Sequence, residues 1–148
     1  MSGTSLDGID AALVRLRPHG SSYQIDLLNF LTLPFEEELL ERLRAILPPN
    51  DGTIEQAAHV HHALGHAFAD AAMQAAGDTP LDYVASHGQT VWHDGDAHVT
   101  LQLADAFVIR ERARATVCYD FRSADCAAGG QGAPLVPYVD ALLLGSQT

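Results

Sequence analysis

The chain has 148 residues, 47% of them hydrophobic and 18% charged, which is the composition of one globular domain and excludes a disordered or fibrous protein. Nineteen acidic residues stand against eight basic ones, all eight arginine, for a net charge of −11. That excess repels a phosphate backbone and argues against nucleic acid as a partner. With no lysine, the chain has neither a P-loop lysine nor a Schiff-base lysine. No apolar run reaches the roughly 18 residues of a membrane span, and the first residues are no signal peptide, so a soluble cytoplasmic protein is expected.

Ile9, Ala11, Leu13 and Leu16 mark a strand over residues 10–16, and residues 18–22, with Pro18 and Gly20, read as a turn. Residues 23–33 alternate as a second strand, which predicts a hairpin. Pro34 opens a helix whose first turn holds Glu36, Glu37 and Glu38, and Leu39, Leu40, Leu43, Ile46 and Leu47 form its buried stripe until Pro48-Pro49 stops it. Thr53 with Gln56 predicts a capping box. The next helix buries Ile54, Ala57, Ala58, His61, Leu64, Phe68, Ala71, Ala72 and Ala75, and ends at Gly77.

Residues 81–86 read as a short buried strand, and Val99, Leu101 and Leu103 as another. A helix over residues 105–114, a strand over residues 116–119 and a helix over residues 135–144 follow. Hairpin, then alternating helix and strand, predicts a single α/β domain with a mixed sheet, over residues 1–148.

Three segments carry candidate chemistry. In the first, Ser2, Gly3, Thr4, Ser5, Asp7 and Gly8 precede a strand. Glycines free backbone N–H groups to face an anion, hydroxyls add donors, and Asp7 suits Mg²⁺. In the second, His87, Gln89 and Thr90 follow a strand and offer mixed donors and acceptors suited to sugar hydroxyls. Trp92 either stacks on a ring or belongs to the core. In the third, Asp120 and Arg122 are followed by a loop with Gly130, Gln131 and Gly132. The arginine either grips a ligand bidentately or closes an internal salt bridge to the aspartate.

His62 and His66 share a helix face, but Ala63 stands where a zinc-protease helix needs glutamate, so no metal site is expected there. Cys118 and Cys126 are expected to be reduced thiols. The chain carries no G-x-S-x-G elbow, and a cysteine hydrolase finds no support.

MSGTSLDGID, SHGQTVWH with the following TLQL, and DFRSADCAAGGQGAPLVP together resemble the signature blocks of anhydro-N-acetylmuramic acid kinases. The resemblance implies an actin/hexokinase-like (ribonuclease H-like) domain, one half of a two-domain kinase closing on a cleft. It implies an ATP- and Mg²⁺-dependent opening and phosphorylation of 1,6-anhydro-N-acetylmuramic acid to N-acetylmuramic acid 6-phosphate, in peptidoglycan recycling. By the same resemblance, the loop from Ser2 to Gly8 faces the ATP phosphates and Mg²⁺. His87, Gln89, Thr90, Asp120, Arg122, Gly130, Gln131 and Gly132 then line the sugar side.

The chain departs from that family pattern in three ways. It begins at the MSGTS block without the preceding strand, and Ala104 stands in the usual Ile-Gly-Asp position of glycine. The Asp-x-Gly-Pro-Gly-Asn block, whose aspartate is the family's catalytic base, is not among these residues, and the resemblance puts it beyond Thr148. The expectation is a sugar-side portion that does not turn over alone, holds no catalytic residue of its own, and is prone to homodimerise through exposed sheet edges. The competing expectation is a non-catalytic sugar-binding or regulatory module.

Overall fold

In the computed structural model, which describes residues 6–20, 22–49 and 51–144, the chain opens with two long strands, β1 (Ile9–His19) and β2 (Ser22–Leu33). They pair antiparallel from Ile9 opposite Leu33 to His19 opposite Ser22, with a register shift at Leu13/Val14. Both strands run further into the expected turn than the proline suggested. Pro18 lies in the ladder opposite Tyr23, and Gly20, at φ 60°, carries the bend. The hairpin leaves Leu16, Tyr23, Leu27 and Phe30 exposed, while Ile9 at its base enters the core.

Helix α1 (Glu37–Ile46) starts three residues beyond Pro34, because the buried Phe35 first anchors the chain in the core. Its buried side chains are Leu39, Leu43 and Ile46, with Leu40 and Leu47 only partly covered. Helix α2 (Ile54–Ala76) has the predicted capping box. The Gln56 amide donates to Thr53 Oγ1 at 3.1 Å, and Thr53 N–H donates to Gln56 Oε1 at 2.7 Å.

The buried face of α2 differs from the expected one at its start. Ile54 is 88% exposed and Val60 takes the interior position, so the stripe runs Val60, Leu64, Phe68, Ala71 and Ala75. Ile54, the first residue of α2, faces water rather than the core.

Strand β3 (Tyr83–Ser86) pairs in parallel with β6 (Thr116–Tyr119), and β4 (Gln89–Asp94) pairs antiparallel with β5 (Val99–Leu103). The segment after β3, expected as a turn, is therefore mostly strand. Within β3 only Ser86 is buried, and Tyr83 is exposed, so the expected buried strand is buried at one end alone. Among the described residues the strands form three two-stranded ladders rather than one continuous mixed sheet.

Helix α3 (Ala106–Ala113) links β5 to β6. After β6 comes α4 (Phe121–Ala127), a helix where the sequence pattern predicts none, and then α5 (Pro137–Leu144), which begins at its proline. Leu43, Val60, Leu64 and Ile109, fully buried, join α1, α2 and α3 in one core with Val91 and Leu103 of the β4–β5 pair. The class is mixed α/β, and no helix among the described residues is long and apolar enough to cross a membrane. Cys118 is exposed and Cys126 buried, both as free thiols.

Candidate functional site

The parallel pairing of β3 and β6 decides where the polar residues gather. Ser86 lies opposite Tyr119, so both strands end at the same level and the residues after them, His87 and Asp120, leave the sheet side by side. That end of a parallel pair is where α/β proteins commonly bind ligands. Gly88 then folds the link to β4 against the end of β5. It sits at φ 72°, and a Cβ there would lie 2.9 Å from the Leu103 carbonyl oxygen, so no other residue fits.

A cavity of about 170 Å³ opens at this place. Ser86, His87 and Gly88 form one wall, with Tyr119 and Asp120 beside them. Gln102 of β5 closes a second side, and His61 of α2 with Asp105 and Phe107 of α3 closes a third.

The α3 side is firmly built. Asp105 caps the helix, its Oδ1 accepting from the Phe107 and Val108 amides at 3.0 and 3.3 Å, while its Oδ2 faces His62 Nδ1 at 3.3 Å. Burial alone would raise the Asp105 carboxyl. The hydrogen bonds from His62, Val108 and Phe107 and the nearby His61 outweigh it and hold the group below the ordinary carboxylate range. Asp105 N–H also donates to the His61 carbonyl at 3.0 Å, and Ala104 N–H to His61 Nδ1 at 3.3 Å. Ala104 is not among the described residues with positive φ, so alanine in place of the family's glycine is accommodated without strain. Gly65 of α2 permits this close approach, since a Cβ there would stand 2.9 Å from the Asp105 oxygen.

Arg122 lies in the first turn of α4 and reaches the site through His87. Its Nε donates to His87 Nε2 at 2.8 Å and its Nη1 to the Gly132 carbonyl at 2.6 Å. A guanidinium only donates, so His87 Nε2 is the accepting nitrogen, and the proton sits on Nδ1, which donates to the Gly88 carbonyl at 3.0 Å. The imidazole is therefore neutral and fixed in orientation. Burial lowers its pKa, and the Arg122 charge lowers it further, against the opposing effect of the Gly88 carbonyl.

Of the two sequence alternatives for Arg122, the salt bridge to Asp120 is not formed among the described residues. The guanidinium positions a histidine and a loop, and Asp120 keeps its exposed carboxylate at the cavity without a side-chain cap bond to α4.

The glycine loop is held from two sides. Asp125 Oδ2 accepts from Gly132 N–H at 2.7 Å, and its backbone oxygen accepts from Gly130 N–H at 2.9 Å. From the β4–β5 turn, His98 Nδ1–H donates to the Gly130 carbonyl at 2.6 Å, and Gln131 reaches Asp96 at 3.5 Å. His98, at φ 55°, was not singled out from the sequence, where nothing local distinguishes it.

The remaining candidates lie elsewhere. Gln89 is fully buried, its amide donating to the Thr90 carbonyl at 3.3 Å, and Thr90 Oγ1 accepts from Gln102 at 3.4 Å; neither Gln89 nor Thr90 lines the cavity. Trp92 is 46% exposed, so it is no core residue, and it too is absent from the cavity wall. Ser2, Gly3, Thr4 and Ser5 lie outside the described residues. So does Thr148, the residue beyond which the family's catalytic base is expected, and the described residues end at Leu144. Asp7 is exposed and Gly8 buried against Leu33 and Thr32 at the base of the hairpin. His62 and His66 meet edge to face, with centroids 4.9 Å apart, and turn to Asp105 and Arg112.

Ser86, Gln102, His61 and Asp105 were assigned no functional role from the sequence, His61 being read only as part of a buried helix face, although Ser86 and Gln102 fall within the quoted blocks. The available signal was Gln102, which shares the Thr100 face of β5 rather than the face of Leu101 and Leu103.

Comparison with known proteins bears on the same residues. The profile of the family "Anhydro-N-acetylmuramic acid kinase" matches residues 1–148. A protein of that name from Caldanaerobacter subterraneus subsp. tengcongensis is 42% identical, over 97% of this chain and 39% of its own length. One from Bacillus cereus is 39% identical, over 97% of this chain and 40% of its own, and one from Bacillus anthracis matches equally. The chain thus spans about two-fifths of the length of the curated relatives it matches. With the profile matching from first residue to last, the chain belongs to the anhydro-N-acetylmuramic acid kinase family.

Proposed function

We propose that this chain forms the sugar side of a cytoplasmic kinase acting on 1,6-anhydro-N-acetylmuramic acid in peptidoglycan recycling. In that reaction water adds at C1, the C1–O6 bond breaks, O6 takes the γ-phosphoryl group and ADP leaves. Magnesium-bound ATP supplies the phosphoryl group. The segment from Ser2 to Gly8 offers hydroxyls, an exposed Asp7 carboxylate and small-residue backbone, an oxygen and N–H donor set that suits Mg²⁺ and phosphate. The base that activates the water is then supplied by residues beyond Thr148, as the family resemblance implies.

The observation that carries the reading is the convergence of His87 and Asp120 on one cavity, with Arg122 tying His87 to the Gly132 carbonyl behind it. Phosphoryl transfer depends chiefly on positioning and charge stabilisation, and this half contributes positioning. His87, neutral and locked by two hydrogen bonds, presents a fixed wall. Asp120 accepts from sugar hydroxyls. The glycine loop sets the level at which Arg122 holds the histidine.

Isothermal titration with the anhydro-sugar tests the reading. Arg122→Ala frees His87 and the loop together and is expected to abolish the heat of binding, whereas a titration matching the unsubstituted chain would refute the assignment. Turnover is a separate expectation. These 148 residues alone, given ATP, Mg²⁺ and the sugar, are expected to release no ADP above background in a coupled assay, and release at an ordinary kinase rate would contradict it.

A further inference from the structure

The loop over residues 129–132 holds three glycines, with Gly129 at φ 92° and Gly132 at φ 73°. Gly129 has open space where a side chain would stand. Little side-chain packing shapes such a segment, so its course depends on the hydrogen bonds it makes. On the α4 side, Asp125 receives the Gly130 and Gly132 N–H groups. The Gly130 carbonyl is held from the other side. His98 Nδ1–H donates to it at 2.6 Å, across 32 residues of chain. Gln131 and Asp96, at 3.5 Å, stand at the outer limit of a hydrogen bond and add little.

The donor is itself fixed. Asp94 Oδ1 accepts from Ala97 N–H at 3.1 Å, and His98 N–H donates to the Gly95 carbonyl at 3.2 Å, which closes the β4–β5 turn. His98 sits at φ 55°, a conformation uncommon outside glycine and one that collects at functional positions. The same hairpin bounds the far end of the loop, since a Cβ on Gly132 would lie 3.3 Å from His93 Cε1.

From Gly132 the connection runs on to the cavity. Its carbonyl accepts from Arg122 Nη1 at 2.6 Å, and Arg122 Nε donates to His87 Nε2 at 2.8 Å. His87 lines the cavity, whereas Arg122, Gly130, Gly132 and His98 stand behind it. Building on the anhydro-sugar reading, we propose that His98 is a positioning residue for the sugar site. By clasping Gly130 it fixes the glycine loop, and so the Gly132 carbonyl on which Arg122 rests while it orients His87.

Three substitutions separate the donor from the ring. His98→Asn keeps an N–H group the same number of bonds from Cα as Nδ1, His98→Gly removes the donor, and His98→Asp puts an acceptor in its place. All three residue types tolerate the left-handed backbone, so the turn is expected to fold in each. Affinity for 1,6-anhydro-N-acetylmuramic acid is measured by titration calorimetry on the full chain. The NMR resonance of the Arg122 Nε–H proton is followed without ligand, and melting temperatures are recorded alongside.

His98→Gly and His98→Asp are expected to weaken sugar binding about three- to tenfold and to move the Arg122 resonance. His98→Asn is expected to bind within about twofold of the unsubstituted chain, with that resonance in place. A residue that merely stabilised the turn would lower the melting temperature and leave the Arg122 proton unmoved. That result would overturn the proposal, as would unchanged affinity in His98→Gly and His98→Asp, or His98→Asn behaving like His98→Gly. Normal sugar binding with an unmoved resonance would remove His98 from the site while the anhydro-sugar reading stands. A moved resonance in a chain that binds no sugar even unsubstituted would instead sink that reading, leaving only the clasp on Arg122.

Discussion

His87 takes its role from two partners that lie at different distances along the chain, the adjacent Gly88 carbonyl and the Arg122 guanidinium 35 residues away. Only the neutral ring can satisfy both, so the site is sensitive to acid. With its folded pKa lowered from the ordinary 6.5, the folded chain takes up a proton less readily than the unfolded one. The contribution to stability is therefore complete above about pH 6.5 and is lost as pH falls through the folded value. Melting curves recorded from pH 8 to pH 5 check this. The margin of the native chain over His87→Ala is expected to narrow as pH falls, and a constant margin would show that the ring does not titrate against Arg122. At this scale the sequence marked His87, Asp120 and Arg122 of the second and third segments as candidates. It could not show that Arg122 serves His87 rather than Asp120, because that choice depends on where α4 begins. Gln89 was misleading for a similar reason: a polar residue at a strand start reads as ligand-facing, yet here it points inward and is fully buried.

The elements that could be read directly are those whose signals are local. The Thr53–Gln56 capping box, the strand Thr116–Tyr119 and the end of α2 at Gly77 each depend on residues within one turn, and each stands where expected. Helix α1 began later than Pro34 because burying Phe35, a tertiary demand, outweighed a permissive N-terminal signal. Helix α4 was missed since Asp120 enters it from the left-handed region, at φ 61°, and its seven residues carry no apolar period. Gly65 shows how one position couples elements. It lets α2 lie against the α3 cap, and Gly65→Ala would push a methyl group into the Asp105 backbone. The expected cost is about 1–3 kcal/mol in urea unfolding, together with weaker sugar binding as the Asp105 wall shifts. A loss below about 0.5 kcal/mol would indicate that the two helices separate freely.

For the whole molecule the β3–β6 pairing is decisive, because a parallel register places the ends of both strands, and so His87 and Asp120, at one cavity. The sequence order alone was compatible with several strand pairings, and no local residue pattern selects one. The matched relatives are about two and a half times as long as this chain. The most direct measurement is an amide NMR titration of the chain with 1,6-anhydro-N-acetylmuramic acid. The largest shift changes are expected on His87, Gly88, Gln102, Asp120 and Gly132, with little change along the hairpin of β1 and β2. Saturable changes concentrated on that hairpin, with the cavity residues unmoved, would contradict it.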